Sequence, residues 1–122
     1  MANRPLSPHL QVYRPQLTSV SSILHRITGA GLALGCVLAP VWLWAALSGD
    51  DSFASLHAIK DSLIGQIALF GWLFSFVYHL LNGIRHLAWD MLLGLDLKTA
   101  TITGWLTIVL SIAFTLFIWN AA

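Results

Sequence analysis

The chain contains no glutamate and a single cysteine, and its 122 residues carry only five aspartates against six lysines and arginines. A small soluble domain spreads charge over most of its surface, so 9% charged against 57% apolar residues, at a mean hydropathy of +0.78, excludes that class. The chain reads as a membrane protein. A formal charge of +1 is too small to suggest a nucleic-acid partner. One cysteine cannot form an intrachain disulfide or a thiolate metal centre, and Cys36, within an apolar stretch, is expected to be a small unreactive core residue. The length leaves no room for a soluble catalytic domain beside membrane spans, so any chemistry belongs inside the bilayer or at its edge.

Three stretches approach the roughly 20 apolar residues needed to cross a hydrocarbon core about 30 Å thick. They run over about 27–47, 62–88 and 103–119. The expected fold is an all-α membrane protein of three transmembrane helices, with 1–21 as an amino-terminal surface segment and helix start, and 22–122 as the anchor domain. Pro40 should kink the first span or mark its last turns, because proline lacks a helical donor. Pro5, Pro8 and Pro15, with Arg4 and Arg14, suit an extended segment on the membrane surface. Thr18 or Ser19 is the expected cap of the first helix.

Basic residues set the expected orientation. Arg4, Arg14 and Arg26 precede the first span, and Arg85 and Lys98 flank the connection between spans two and three. Lys60 alone lies in the first connection, so the amino terminus is expected inside. Trp42, Trp44 and Trp119 then fall near outer ends and Trp89 and Trp105 near inner ends, as interfacial anchors, whereas Trp72 lies deeper. Phe53, Leu56, Ile59 and Leu63 recur at helical spacing and predict a short interfacial helix in the first connection. Gly29, Ala30, Gly31, Ala33, Gly35 and Cys36 make a small-residue stretch in the first span, with Gly31 and Gly35 as a GxxxG pair. It suits helix packing or room for a flat cofactor.

His79 lies in the apolar run 63–81, where an ionisable side chain calls for a partner, a metal or a water path. Three readings stand open: a structural histidine bonded to a neighbouring helix, a haem ligand, or a proton-relay group. His86 is seven residues on, so it shares a helical face with His79 at about 10.5 Å along the axis. Two rings on one face cannot ligate a haem from both sides, so His79 could be an axial ligand only with a second ligand from elsewhere. His9 and His57 are expected at the surface.

Ser22, His25 and Arg26 stand at i, i+3 and i+4, which gathers a hydroxyl, an imidazole and a guanidinium on one face at the edge of the first span. Such a face fits a lipid phosphate, a helix cap or a quinone carbonyl, which wants donors at the end of an apolar slot.

Three stretches carry a resemblance: Arg4-Pro5-Leu6-Ser7-Pro8-His9-Leu10, then Ser22-Ile23-Leu24-His25-Arg26-Ile27-Thr28-Gly29, then Tyr78-His79-Leu80-Leu81-Asn82-Gly83-Ile84-Arg85-His86-Leu87-Ala88-Trp89-Asp90. Together they resemble the succinate dehydrogenase cytochrome b556 subunits, over nearly the whole chain. The resemblance implies a membrane anchor of respiratory complex II within a multi-subunit helical bundle binding haem b. It implies that His79 ligates the haem iron, with the other histidine supplied by a second membrane anchor subunit. Ser22 and Arg26 match quinone-binding positions, His25 a position near both quinone and a haem propionate, and Arg26 and His86 the propionate vicinity. FAD and iron–sulfur clusters belong to a flavoprotein and an iron–sulfur subunit, ubiquinone is the substrate, and this chain alone catalyses nothing. The implied location is a bacterial cytoplasmic (inner) membrane, or the mitochondrial inner membrane for a processed eukaryotic chain. The alternatives are a fumarate reductase anchor subunit and a non-redox membrane scaffold or transporter subunit.

Overall fold

The computed structural model describes residues 14–122; the segment 1–13, with Arg4 and His9, lies outside the described residues. The described residues form four helices and no strand: α1 (Leu17–Leu47), α2 (Asp50–Asp61), α3 (Leu63–Asp90) and α4 (Leu97–Ala121). Of these, α1, α3 and α4 are long and apolar enough to cross a membrane. At 1.5 Å per residue they reach roughly 38 to 46 Å, beyond the hydrocarbon thickness. The short helix expected between the first two spans is α2, although Leu63 belongs to α3. His57 is half-buried on α2, edge-on to Phe53 at 4.4 Å, rather than freely exposed.

Every long helix overruns its predicted span, and α1 most of all. Ser22, His25 and Arg26 lower the local hydropathy, but backbone hydrogen bonding ignores side-chain polarity, so the helix begins at Leu17. Its cap is Gln16, which makes no side-chain capping bond; Thr18 and Ser19 fall inside the first turn instead. Pro15, immediately before the cap, sits where a missing N–H costs nothing. Pro40 does not end α1, which continues to Leu47. The other two starts follow capping chemistry: Ser62 Oγ accepts from the Gly65 N–H at 3.1 Å, and Asp96 Oδ1 accepts from the Thr99 N–H at 2.9 Å. The end of α3 is closed by the Leu92 N–H on the Trp89 carbonyl (2.8 Å) and the Leu93 N–H on the Ala88 carbonyl (2.9 Å). That pattern places Leu92 at φ 61°, the left-handed position that usually takes glycine.

Helix α3 packs against both α1 and α4, and α1 also reaches α4. The interior so formed is polar. Among the described residues Val77, Tyr78 and Ala100 are the buried hydrophobic ones, whereas Ser21, Thr28, Asn82, Arg85, Thr107, Ser111 and Thr115 are buried and polar. Lipid surrounds helices with apolar material as readily as another helix does, so close approach and hydrogen bonds, not hydrophobicity, select the inner faces. On α4 the inner face repeats every four residues: the hydroxyls of Thr103, Thr107 and Ser111 donate to the carbonyls of Thr99 (2.8 Å), Thr103 (2.9 Å) and Thr107 (2.6 Å). Each hydroxyl satisfies itself within its own helix and keeps the face thin.

The remaining small residues and aromatics sort by the same geometry. Trp72 packs its indole against Gly35, which accounts for its depth, while Gly31 has open space where a Cβ would stand. The GxxxG pair therefore acts in this chain through Gly35 alone. Cys36 is exposed rather than in the core, because most of the circumference of α1 has no neighbouring helix of this chain. Trp42, Trp44, Trp105 and Trp119 lie open to the surroundings.

Candidate functional site: a histidine column beside a buried arginine

Two polar groups meet α1 from different faces of α3. On one face His79 reaches the backbone of α1. Its Nδ1 lies 3.1 Å from the His25 carbonyl and 3.3 Å from Thr28 Oγ1. A carbonyl oxygen only accepts, so this bond puts a proton on Nδ1, which in the neutral ring leaves the lone pair on Nε2. Nε2 has no hydrogen-bond partner among the described residues. The ring lies over Gly29, where a Cβ would stand 2.9 Å from His79 Cε1, closer than such atoms approach.

The His25 ring is turned into the same seam. It stacks on His79 with centroids 3.9 Å apart and planes 7° from parallel, and it lies 5.1 Å from the His86 ring. His86 in turn meets Trp89 edge-on at 5.2 Å. The three imidazoles thus form a column with His25 between the two histidines of α3. They do not converge: among the described residues no group of three or more potential ligands is placed to hold a metal ion. His25 Nδ1 is buried with no hydrogen-bond partner among the described residues. Farther along α1 and α3, Gly31, Leu34, Gly35, Leu69 and Trp72 line an apolar groove of about 410 Å³.

On the other face of α3, Arg85 fills the junction of all three long helices and is 6% exposed. Its Nη2 donates to the Ala100 carbonyl (2.7 Å) and its Nε to Thr103 Oγ1 (3.1 Å) on α4. Its Nη1 donates to Ser21 Oγ on α1 (3.2 Å) and to Asn82 Oδ1 one turn back (3.3 Å). The guanidinium lies 4.1 Å from the centre of the Trp89 ring, a favourable cation–π position. Beside it the Tyr78 hydroxyl donates to the Ser21 carbonyl at 3.1 Å. All these acceptors are neutral, and Arg85 has no carboxylate partner among the described residues.

Of the residues singled out from sequence, the structure brings His25, His79 and His86 together. Ser22 and Arg26 lie on the neighbouring surface of α1, half-buried and exposed, and neither makes a hydrogen bond or ion pair with a described residue. They do not converge with the His25 ring, which turns away into α3. Arg85, expected as a flanking charge, is instead an interior residue, and Tyr78 and Asn82, 1% and 0% exposed, join it as interior residues that the sequence reading misses. The readable signal was spacing, since 78, 82, 85 and 89 place four polar or aromatic residues on one stripe of α3, facing the four-residue repeat of hydroxyls on α4.

Known proteins share this arrangement of sequence. The chain is 44% identical over 116 residues to a succinate dehydrogenase cytochrome b556 subunit of Rickettsia prowazekii, covering 95% of this chain and 90% of that one. It is 47% identical over 98 residues to the subunit of the same name from Paracoccus denitrificans, covering 80% and 75%. The mitochondrial succinate dehydrogenase cytochrome b560 subunit of Sus scrofa is 38% identical over 115 residues, covering 91% and 67%. The family model described as succinate dehydrogenase/fumarate reductase transmembrane subunit matches residues 1–118. With three membrane-length helices and a match over almost its whole length, the chain belongs to the succinate dehydrogenase/fumarate reductase transmembrane subunit family.

Proposed function

We propose that this chain is a membrane-anchoring cytochrome b subunit of succinate:ubiquinone oxidoreductase, in which His79 would ligate the iron of haem b and other residues contribute part of the quinone site. The observation that carries the ligand assignment is the His79 Nδ1–H bond to the His25 carbonyl, which fixes the tautomer and leaves Nε2 free. A proton relay would link rings through their nitrogens, whereas His25 and His79 meet face to face. The residues also fit the group: Gly29 leaves room for the ring, and the buried Nδ1 of His25, unpartnered among the described residues, stands beside it and would donate to a propionate. His86 and Arg26 complete the propionate vicinity. One chain supplies one ligand, so a second membrane anchor subunit supplies the other. Haem b, when bound, supplies one-electron storage next to the quinone.

At the neighbouring surface Ser22 and Arg26 hold their donors free for a ligand. Arg26 donates to a ubiquinone carbonyl and stabilises the negative charge that develops there on reduction, and Ser22 donates a hydrogen bond to the same headgroup. His25 lies between this surface and His79. Succinate chemistry, FAD and the iron–sulfur clusters belong to partner subunits docked at this end of the bundle. The orientation rests on charge: with Arg85 removed from the flanking set, Arg4, Arg14, Arg26 and Lys98 still oppose Lys60 alone, which supports an amino terminus on the inner side of a bacterial cytoplasmic membrane. The succinate dehydrogenase names of the relatives favour succinate oxidation over fumarate reduction.

Replacing His79 by leucine is expected to remove the b-type haem absorbance of the assembled complex; an unchanged spectrum refutes the ligand assignment. Ser22→Ala and Arg26→Leu are expected to slow quinone reduction about tenfold or more while succinate still reduces a soluble artificial acceptor. Parallel loss of both activities refutes the quinone assignment.

A further inference from the structure

We propose that Arg85 and Tyr78, acting on Ser21, are positioning residues that set the rotation of α1 and so aim Ser22 and Arg26 at the quinone headgroup. The proposal rests on the quinone site given above and adds residues that touch no substrate.

Ser21 is held twice by α3. Arg85 Nη1 donates to its hydroxyl and the Tyr78 hydroxyl donates to its carbonyl, so side chain and backbone are both fixed. The same Ser21 hydroxyl donates to the Thr18 carbonyl at 3.0 Å, tying in the first turn of a helix that lacks a side-chain cap. Among the described residues, the remaining polar link from α3 to α1 is that of His79 to His25 and Thr28 on the histidine side. The two links come from different faces of α3 and grip one stripe of α1 at Ser21 and, one to two turns on, at His25 and Thr28, which holds that stripe against α3 and so resists rotation of α1 about its axis. Ser22 follows Ser21 directly, and Arg26 lies five residues on. Side-chain tips stand roughly 6 Å from a helix axis, so a turn of about 20° moves them by about 2 Å. A misplacement of about 1 Å can cost roughly a hundredfold in a positioned reaction.

The choice of residue supports a directional role over simple packing. An arginine at this depth is expensive, and volume alone could be filled by an apolar side chain. The planar fork instead reaches α1, α4 and its own helix at fixed angles. Gly104 on α4 keeps the junction open, since a Cβ there would stand 3.0 Å from Leu17 and 3.4 Å from Arg85 Nη2.

The test uses the assembled complex in native membranes, with haem absorbance, succinate oxidation by a soluble acceptor, and kcat and KM for a short-chain ubiquinone analogue as readouts. Ser21→Ala and Tyr78→Phe each delete one bond with almost no change of volume. Each is expected to raise the quinone KM about fivefold or more, with haem and soluble-acceptor rates within about twofold of the parent. Ser21→Thr, which keeps the hydroxyl, is expected to stay near the parent KM; a residue serving only as small packing would tolerate alanine and resist threonine. Arg85→Lys is expected to raise KM more than either single deletion. Unchanged KM in Ser21→Ala and Tyr78→Phe overturns the proposal, as does a proportional fall in all three readouts. Ser22→Ala in the same series separates the two layers: if it alone raises KM the positioning role fails and the quinone site stands, and if it too is silent both fall.

Discussion

His79 and Arg85 stand six residues apart on α3, and the fold treats them in opposite ways. Arg85 is enclosed, and four neutral oxygens and an indole face surround its guanidinium. His79 is half-open, with one ring nitrogen satisfied and the other free, beside a His25 nitrogen that is buried without a partner. Both side chains are costly in lipid. What separates Arg85 from His79 is therefore the set of hydrogen bonds each makes, not its depth.

The strongest way to break the comparison is to empty the enclosed side. Arg85→Leu leaves the acceptors on Ser21, Asn82 and Thr103 facing an apolar chain and is expected to remove about 2–4 kcal/mol of bundle stability, read by denaturation of the subunit in mixed micelles. A loss below about 1 kcal/mol would show that the junction is passive. On the open side, Gly29→Ala pushes a methyl into the His79 ring and is expected to weaken haem retention about tenfold, or about 1.4 kcal/mol, by titration against a haem-scavenging protein. Gly35→Ala, which instead displaces the Trp72 indole, is expected to leave haem retention unchanged.

Smaller effects belong to the turn that closes the arginine side, where Trp89 Nε1 donates to the Gly94 carbonyl at 3.2 Å. Leu92→Gly relieves a left-handed backbone and is expected to stabilise the bundle by about 1 kcal/mol without altering haem absorbance. The smallest effect is pH-dependent. The Thr99 N–H bonded to Asp96 holds that carboxyl below the usual carboxylate range. A lowered native value means the cap stabilises α4 fully above the ordinary carboxylate value of about 3.9 and is lost as pH falls through the native value. The protection of the Thr99 amide, measured against its intrinsic exchange rate, should therefore fall as pH drops below the ordinary carboxylate range, and Asp96→Asn should abolish that acid dependence.

Much of this was legible in the sequence. Hydropathy located all three spans because lipid selects apolar exteriors, and the spacing of Phe53, Leu56 and Ile59 located α2. The histidine pair on one face of α3 was legible too. The start of α1 was legible to within about three residues, since Thr18 or Ser19 is the expected cap and the helix begins at Leu17; the edge of the apolar span at Ser22, His25 and Arg26 does not mark it, because the helix runs through them. The interior was not legible. A charge near the end of an apolar run looks like an interfacial residue, and only the partner stripes of Tyr78, Asn82 and Arg85 on α3 and of Thr107, Ser111 and Thr115 on α4 identify it as a centre. The turn of the His25 ring away from Ser22 and Arg26 depends on which helix lies alongside, which no local spacing encodes.

The polar interior has a thermal consequence. Separating these helices within a bilayer would uncover hydroxyls, an amide and a guanidinium while exposing little apolar surface to water. The large positive heat capacity of unfolding in soluble domains comes from hydrating apolar groups. Dissociation of this bundle should lack most of it, so its stability should decline almost linearly on warming, without the domed maximum and cold-side loss of a water-soluble fold.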